Sequence, residues 1–164
     1  MKGEVLERRA LGALVLVLLL ATAPHAVHLP VWVVATTTCI AGWRLWLLWR
    51  GGAMPRRWLL IAIAITVSAG VLLFYKTLFG REAGVALLVL MLGIKLLEIN
   101  TRRDVTVVIF LAYFLVVTNF FYSQTIPTAV YMLLLVWAIT AVMVAFQYCA
   151  SPPAWLSLTR SVAV

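Results

Sequence analysis

The chain has 164 residues, 65% of them hydrophobic and 11% charged, with a formal net charge of +8 and a mean hydropathy of +1.11. Such a composition leaves too little polar surface to cover a water-soluble domain of this size. The positive balance does not indicate nucleic-acid binding either, because the cations form short clusters at the ends of apolar runs and not a basic face interleaved with aromatics.

A helix crossing about 30 Å of hydrocarbon needs roughly 20 mostly apolar residues. By that rule six spans are expected, at about 10–27, 30–49, 58–75, 83–99, 105–122 and 128–148. They are expected to be helices, because an open strand in lipid leaves its backbone unsatisfied and barrel strands would alternate with period two. The fold class is therefore all-α: a polytopic transmembrane helix bundle of about six spans over residues 1–149. Residues 150–164 read as a connector and the start of a truncated further helix.

The first span follows Lys2, Arg8 and Arg9. Its basic start, apolar run and Ala21-Thr22-Ala23 also fit a signal peptide. An uncleaved anchor is preferred, since Pro24 poorly suits the position after a cleavage site and a second span begins almost at once. His25 and His28 fall in the first loop, three residues apart, with no Cys, Asp or Glu to complete a metal site, and are read as interfacial histidines. The second span carries Cys39, read as a small packing residue like Cys149 near the end of the sixth span. The two lie at different depths, which argues against a disulfide.

Arg50, Arg56 and Arg57 separate spans two and three, Arg102 and Arg103 separate spans four and five, and Arg160 follows span six. If each span crosses once, these share a side with the N-terminal cations, and both termini are cytoplasmic. The opposite side holds Lys76 and Arg81, partly offset by Glu82. Trp32, Trp43, Trp46, Trp49 and Trp58 gather towards span ends, as interfacial anchors do. The location implied is a membrane, with the lipid bilayer as partner and the arginine-rich side cytoplasmic.

Span four is short and carries the densest polar residues. Lys95, Glu98 and Arg102 are spaced to stack on one face of that span and its exit, joined by Arg103 and Asp104. Two readings compete: a polar face that orients the bundle or relays ions, and a snorkelling cluster at the interface, which is favoured. Glu82 suits the first turn of a helix by its charge. Arg81, a cation on the side poor in cations, is a candidate for docking an external domain or a lipid headgroup. Gln124, with Asn119 and Ser123, is a candidate for bonds between helices, and Gly93 for close helix packing. No Ser/His/Asp or Cys/His set, phosphate loop or pair of free carboxylates is present. No catalytic residue and no cofactor is assigned.

The pieces Gly80-Arg81-Glu82-Ala83-Gly84, Lys95-Leu96-Leu97-Glu98, Thr101-Arg102-Arg103-Asp104 and Tyr122-Ser123-Gln124 have one more implication. With Leu29-Pro30-Val31-Trp32 and Trp43-Arg44, they make the chain resemble the N-terminal transmembrane domain of TgpA-type transglutaminase-like membrane proteins of bacteria. The resemblance implies a bundle leading to a covalently attached extracytoplasmic domain with a Cys-His-Asp set for acyl transfer or peptide-bond hydrolysis. In that chemistry a thiolate forms an acyl-enzyme. That domain is absent from this chain, and neither Cys39 nor Cys149 lies in a matching motif. The expectation is a non-catalytic anchor module. The alternative is a stand-alone small inner-membrane protein, a transporter half or assembly factor, using the Lys95, Glu98 and Arg102 face.

Overall fold

The computed structural model describes the backbone of residues 2–50, 55–76 and 80–150, and the side chains of 8–50, 55–76 and 80–147. These residues form six α-helices: α1 (Lys2–Thr22), α2 (Val31–Arg50), α3 (Arg57–Tyr75), α4 (Arg81–Glu98), α5 (Arg102–Thr118) and α6 (Ile126–Ala150). Short 3₁₀ turns follow α1 (Ala23–Val27) and α5 (Asn119–Phe121). Among the described residues there is no strand. The expected connector and further helix at 151–164 lie outside the described residues, as does the side chain of Cys149.

Helix ends follow local chemistry. Pro24 enters the 3₁₀ turn after α1, and the amides of His28 and Leu29 both close on the His25 carbonyl, at 3.0 and 2.9 Å. α3 stops at Lys76, whose left-handed backbone (φ 56°) lets its amide reach the Leu72 carbonyl at 2.9 Å. α4 ends where Ile99 leaves the helical region. Two residues later Thr101 caps α5: its hydroxyl accepts from the Asp104 amide, while the Asp104 carboxylate accepts from the Thr101 amide at 2.9 Å. Pro127 sits in the first turn of α6, where its missing N–H costs nothing. α1 starts at Lys2 and not near Ala10.

Contacts between ends fix the course of the chain. Tyr131 at the start of α6 donates to the Leu20 carbonyl near the end of α1 at 2.9 Å. Arg81 at the start of α4 donates to the Phe121 carbonyl after α5 at 2.9 Å. Arg44 late in α2 donates to the Ile99 carbonyl after α4 at 3.3 Å. Consecutive helices are therefore antiparallel. Arg8, Arg9, Arg50, Arg56, Arg57, Arg102 and Arg103 fall at one end of the bundle, and His25, His28, Lys76, Arg81 and Glu82 at the other.

α4 is the centre of the packing, touching α2, α3 and α5, while α1 packs on α2, α5 and α6. Ten of the 18 residues of α4 are buried. The main core joins Leu14, Val33, Leu90, Ala112, Leu115 and Ile139, and a smaller cluster joins Ile40, Leu60, Ile94 and Leu97. α3 and α6 turn large apolar side chains outward, among them Ile65, Leu73, Leu133 and Trp137. Among the described residues five helical segments are long and apolar enough to cross a membrane: Arg8–Val27, Val31–Arg50, Arg57–Tyr75, Arg102–Phe121 and Ile126–Gln147. α4 is not one of them, because Arg81, Glu82, Lys95 and Glu98 all lie on it.

Candidate functional site

Among the described residues the charged side chains gather at the two ends of the bundle, while the middle holds hydroxyl contacts such as Tyr113 with Thr140 at 2.7 Å. At the arginine-rich end, Lys95 and Glu98 form an ion pair of 2.8 Å in the last turn of α4. Both side chains are about one-third exposed (35% and 34%), so the pair is screened and contributes on the order of 0–1 kcal/mol. Arg102 does not continue this face. The helix breaks at Ile99, so Arg102 opens α5, and its guanidinium points to the Phe146 carbonyl of α6 at 3.5 Å. Asp104 is engaged in the α5 cap, accepting from the Thr101 hydroxyl at 2.8 Å, and Arg103 is exposed.

The most enclosed cation among the described residues is Arg44, which the sequence marked only as part of the Trp43-Arg44 resemblance and not as a buried site. Arg44 has 2% of its surface exposed and donates to the free carbonyl after α4. The last carbonyls of a helix lack partners within it and carry the negative end of its dipole, so a guanidinium there supplies a donor and a complementary charge. An arginine inside a 20-residue apolar run was the available signal. Its partner, 55 positions further on, was not visible.

At the other end Gly80 is an extended cap and places Arg81 on the first turn of α4. The guanidinium lies 4.8 Å from the centre of the Tyr122 ring and donates to the Phe121 carbonyl at 2.9 Å. His28 stacks on the same ring, with centroids 4.5 Å apart, and His25 meets it edge-on at 5.8 Å. Tyr122 is thus the hub of this end, and no pattern in the sequence marked it as such.

His25 is a correction to the sequence reading. It is fully buried (0% exposed), not interfacial, and its Nε2 lies 3.1 Å from the Leu115 carbonyl. A carbonyl only accepts, so Nε2 carries the proton and Nδ1 is left as an acceptor. That Nδ1, the Asn119 amide nitrogen and the Tyr122 hydroxyl are buried without a protein partner, an unusual concentration in one region. The pattern failed to reveal His25 because a histidine after an apolar run looks alike whether its turn folds inward or outward.

Glu82 and Arg81 line a shallow concavity with Tyr75, Gly80 and Ala83. Gln124 is exposed in the segment before α6. The neighbouring hydroxyls of Ser123, Thr125 and Thr128 bond to one another, Ser123 and Thr125 each at 2.9 Å from Thr128. Asn119 is buried against the bundle, and Gly93 lies against Thr37 and Ile40 of α2. Among the described residues no hydroxyl or thiol is hydrogen-bonded to an imidazole, and Cys39 is exposed on α2. What this end offers chemically is a cation held on an aromatic ring, with N–H groups left to meet a carboxylate, carbonyl or phosphate.

Comparison with known proteins agrees with this picture. The family model described as the TgpA N-terminal domain matches residues 13–164. A protein-glutamine gamma-glutamyltransferase of Pseudomonas aeruginosa is 34% identical over 147 residues, which are 90% of this chain and 22% of the relative. The chain thus spans about a fifth of the length of that curated relative. No solved structure matches.

Proposed function

The chain belongs to the TgpA N-terminal domain family, and from that premise we propose that it is a non-catalytic anchor in the bacterial inner membrane. In this reading all six helices cross the bilayer, both termini are cytoplasmic, and the bundle carries a transglutaminase-like domain on the outer face. The observation that carries the reading is the sorting of charge. Arginines crowd one end of an antiparallel bundle whose outward side chains are apolar, the arrangement that positive-inside insertion selects. α4 spans in this reading despite its charges, because its middle is enclosed by α2, α3 and α5 and its charged residues lie in its end turns. The match to only 22% of a gamma-glutamyltransferase supports an attached domain beyond this module. The alternative of a stand-alone transporter half is not favoured: the Lys95–Glu98 pair closes on itself at one end, and Arg102 belongs to another helix.

Cysteine labelling tests the orientation. In a cysteine-free background, His28→Cys should react with a membrane-impermeant maleimide in intact spheroplasts, and Arg103→Cys only after permeabilisation. Equal labelling of both in intact spheroplasts would defeat the reading.

The end bearing Arg81 and Glu82 then faces the attached domain and is its docking surface. In the full-length protein, a protease site placed behind the bundle allows the domain to be cut free. The cut domain should remain with the solubilised bundle, and Arg81→Ala should reduce its retention severalfold, the effect of losing one charge-assisted contact of about 1–2 kcal/mol. Equal retention removes the docking role and leaves the anchor intact.

A further inference from the structure

At the arginine-rich end, α1 and α2 diverge around a cleft that neither the fold nor the anchor role uses. Its rim is Arg8, Arg9 and Trp49, and its walls are Gly12, Leu45 and Leu48. It holds about 410 Å³, far more than the roughly 30 Å³ a water occupies. A Cβ built on Gly12 meets nothing within 4 Å, so the floor is open where a larger residue would close it.

We propose that this cleft binds one anionic phospholipid, with the phosphate against Arg8 and Arg9 and an acyl chain along Gly12, Leu45 and Leu48. The inference rests on the membrane reading above. Charge complementarity selects the occupant. Both guanidinium groups are exposed, and among the described side chains neither meets a carboxylate, the one ion pair there being Lys95–Glu98. Another groove at this end differs, since its arginine, Arg102, is turned to the Phe146 carbonyl. Arg50, stacked 5.2 Å from the centre of the Trp46 ring, adds a third cation nearby. Trp49, 89% exposed, presents an amphipathic ring at the level where headgroups meet acyl chains. A free phosphate satisfies the arginines and leaves the apolar walls bare. An apolar peptide segment covers the walls and leaves two cations unanswered. A phospholipid does both, and basic pockets between helices on the cytoplasmic side are a recurrent site for anionic headgroups.

Native mass spectrometry of the detergent-purified chain, titrated with phosphatidylglycerol or phosphatidylcholine, tests this. Phosphatidylglycerol should be retained at least tenfold more tightly. Arg8→Gln/Arg9→Gln should abolish that preference, since each cation near a lipid surface contributes about a factor of five. Arg56→Gln/Arg57→Gln removes the same charge at the same end and should change binding less than twofold. Gly12→Leu, which fills the cleft and leaves the charge untouched, should also weaken binding. Circular dichroism and elution volume verify that each variant is folded. Equal losses in the two double variants would reduce the effect to diffuse electrostatics and overturn the site. So would full binding in Gly12→Leu, or displacement by millimolar inorganic phosphate. Any of these leaves the anchor reading standing, because the labelling of His28→Cys and Arg103→Cys is independent of lipid occupancy.

Discussion

Replacing Arg44 by alanine is expected to destabilise the bundle by about 2–4 kcal/mol. Two effects add. The Ile99 carbonyl loses a hydrogen bond from a charged donor, of the order of 1.5–3 kcal/mol. The deletion also leaves a void where one of the largest fully buried side chains stood. The opposing effect is relief of the cost of keeping a guanidinium out of water, which is why the net falls below the sum. Arg44→Met separates the contributions by restoring volume without the donor, and should recover roughly half of the loss. Reversible unfolding in mixed micelles, followed by circular dichroism, gives both numbers. Equal stability of wild type and Arg44→Ala would mean that the carbonyls after α4 find other donors at no cost.

Enlarging Gly93 should have the next largest effect, with a sharp dependence on size. A Cβ at this position falls 3.6 Å from the Thr37 methyl and 3.7 Å from Ile40, ordinary contact distances. Gly93→Ala should therefore be tolerated within about 1 kcal/mol, helped by the better helix propensity of alanine. Gly93→Leu must push α2 from α4 or force Ile40 off its rotamer, at about 1–3 kcal/mol. Because α4 is the hub of packing, the same substitution should lower expression of folded protein as well. Similar unfolding midpoints for the alanine and leucine variants would show that this helix pair is looser than its contacts.

The two substitutions mark what the residue order reveals and what it hides. Helices are legible because long apolar runs point to them, while their exact ends are not: α1 stops at Thr22 where the apolar run carries across Pro24 to 27, and α4 starts at Arg81 and not 83. The sorting of arginines is legible because it is a property of helix ends, which local sequence places approximately. Partners across the bundle are not. Arg44 and Ile99, His25 and Leu115, and Arg81 and Tyr122 meet only through the packing of separate helices, and nothing in one helix specifies the rotation of another. Lys95, Glu98 and Arg102 show the opposite hazard. Their spacing is right for a shared face, but the break at Ile99 interrupts the helix that the spacing assumes.

The placement of α4 has a consequence for biogenesis. It has the poorest claim to enter lipid alone, bearing charges in its first and last turns, yet it occupies the most enclosed position. A ribosome delivers α2 and α3 before it and α5 after it, joined to it by only Ile99, Asn100 and Thr101. If all six helices cross the bilayer as proposed, so short a link makes α4 and α5 enter as one hairpin, with the greasier partner drawing in the more polar one. On that reading assembly is coupled to synthesis, since the central helix enters after two of its neighbours and together with the third.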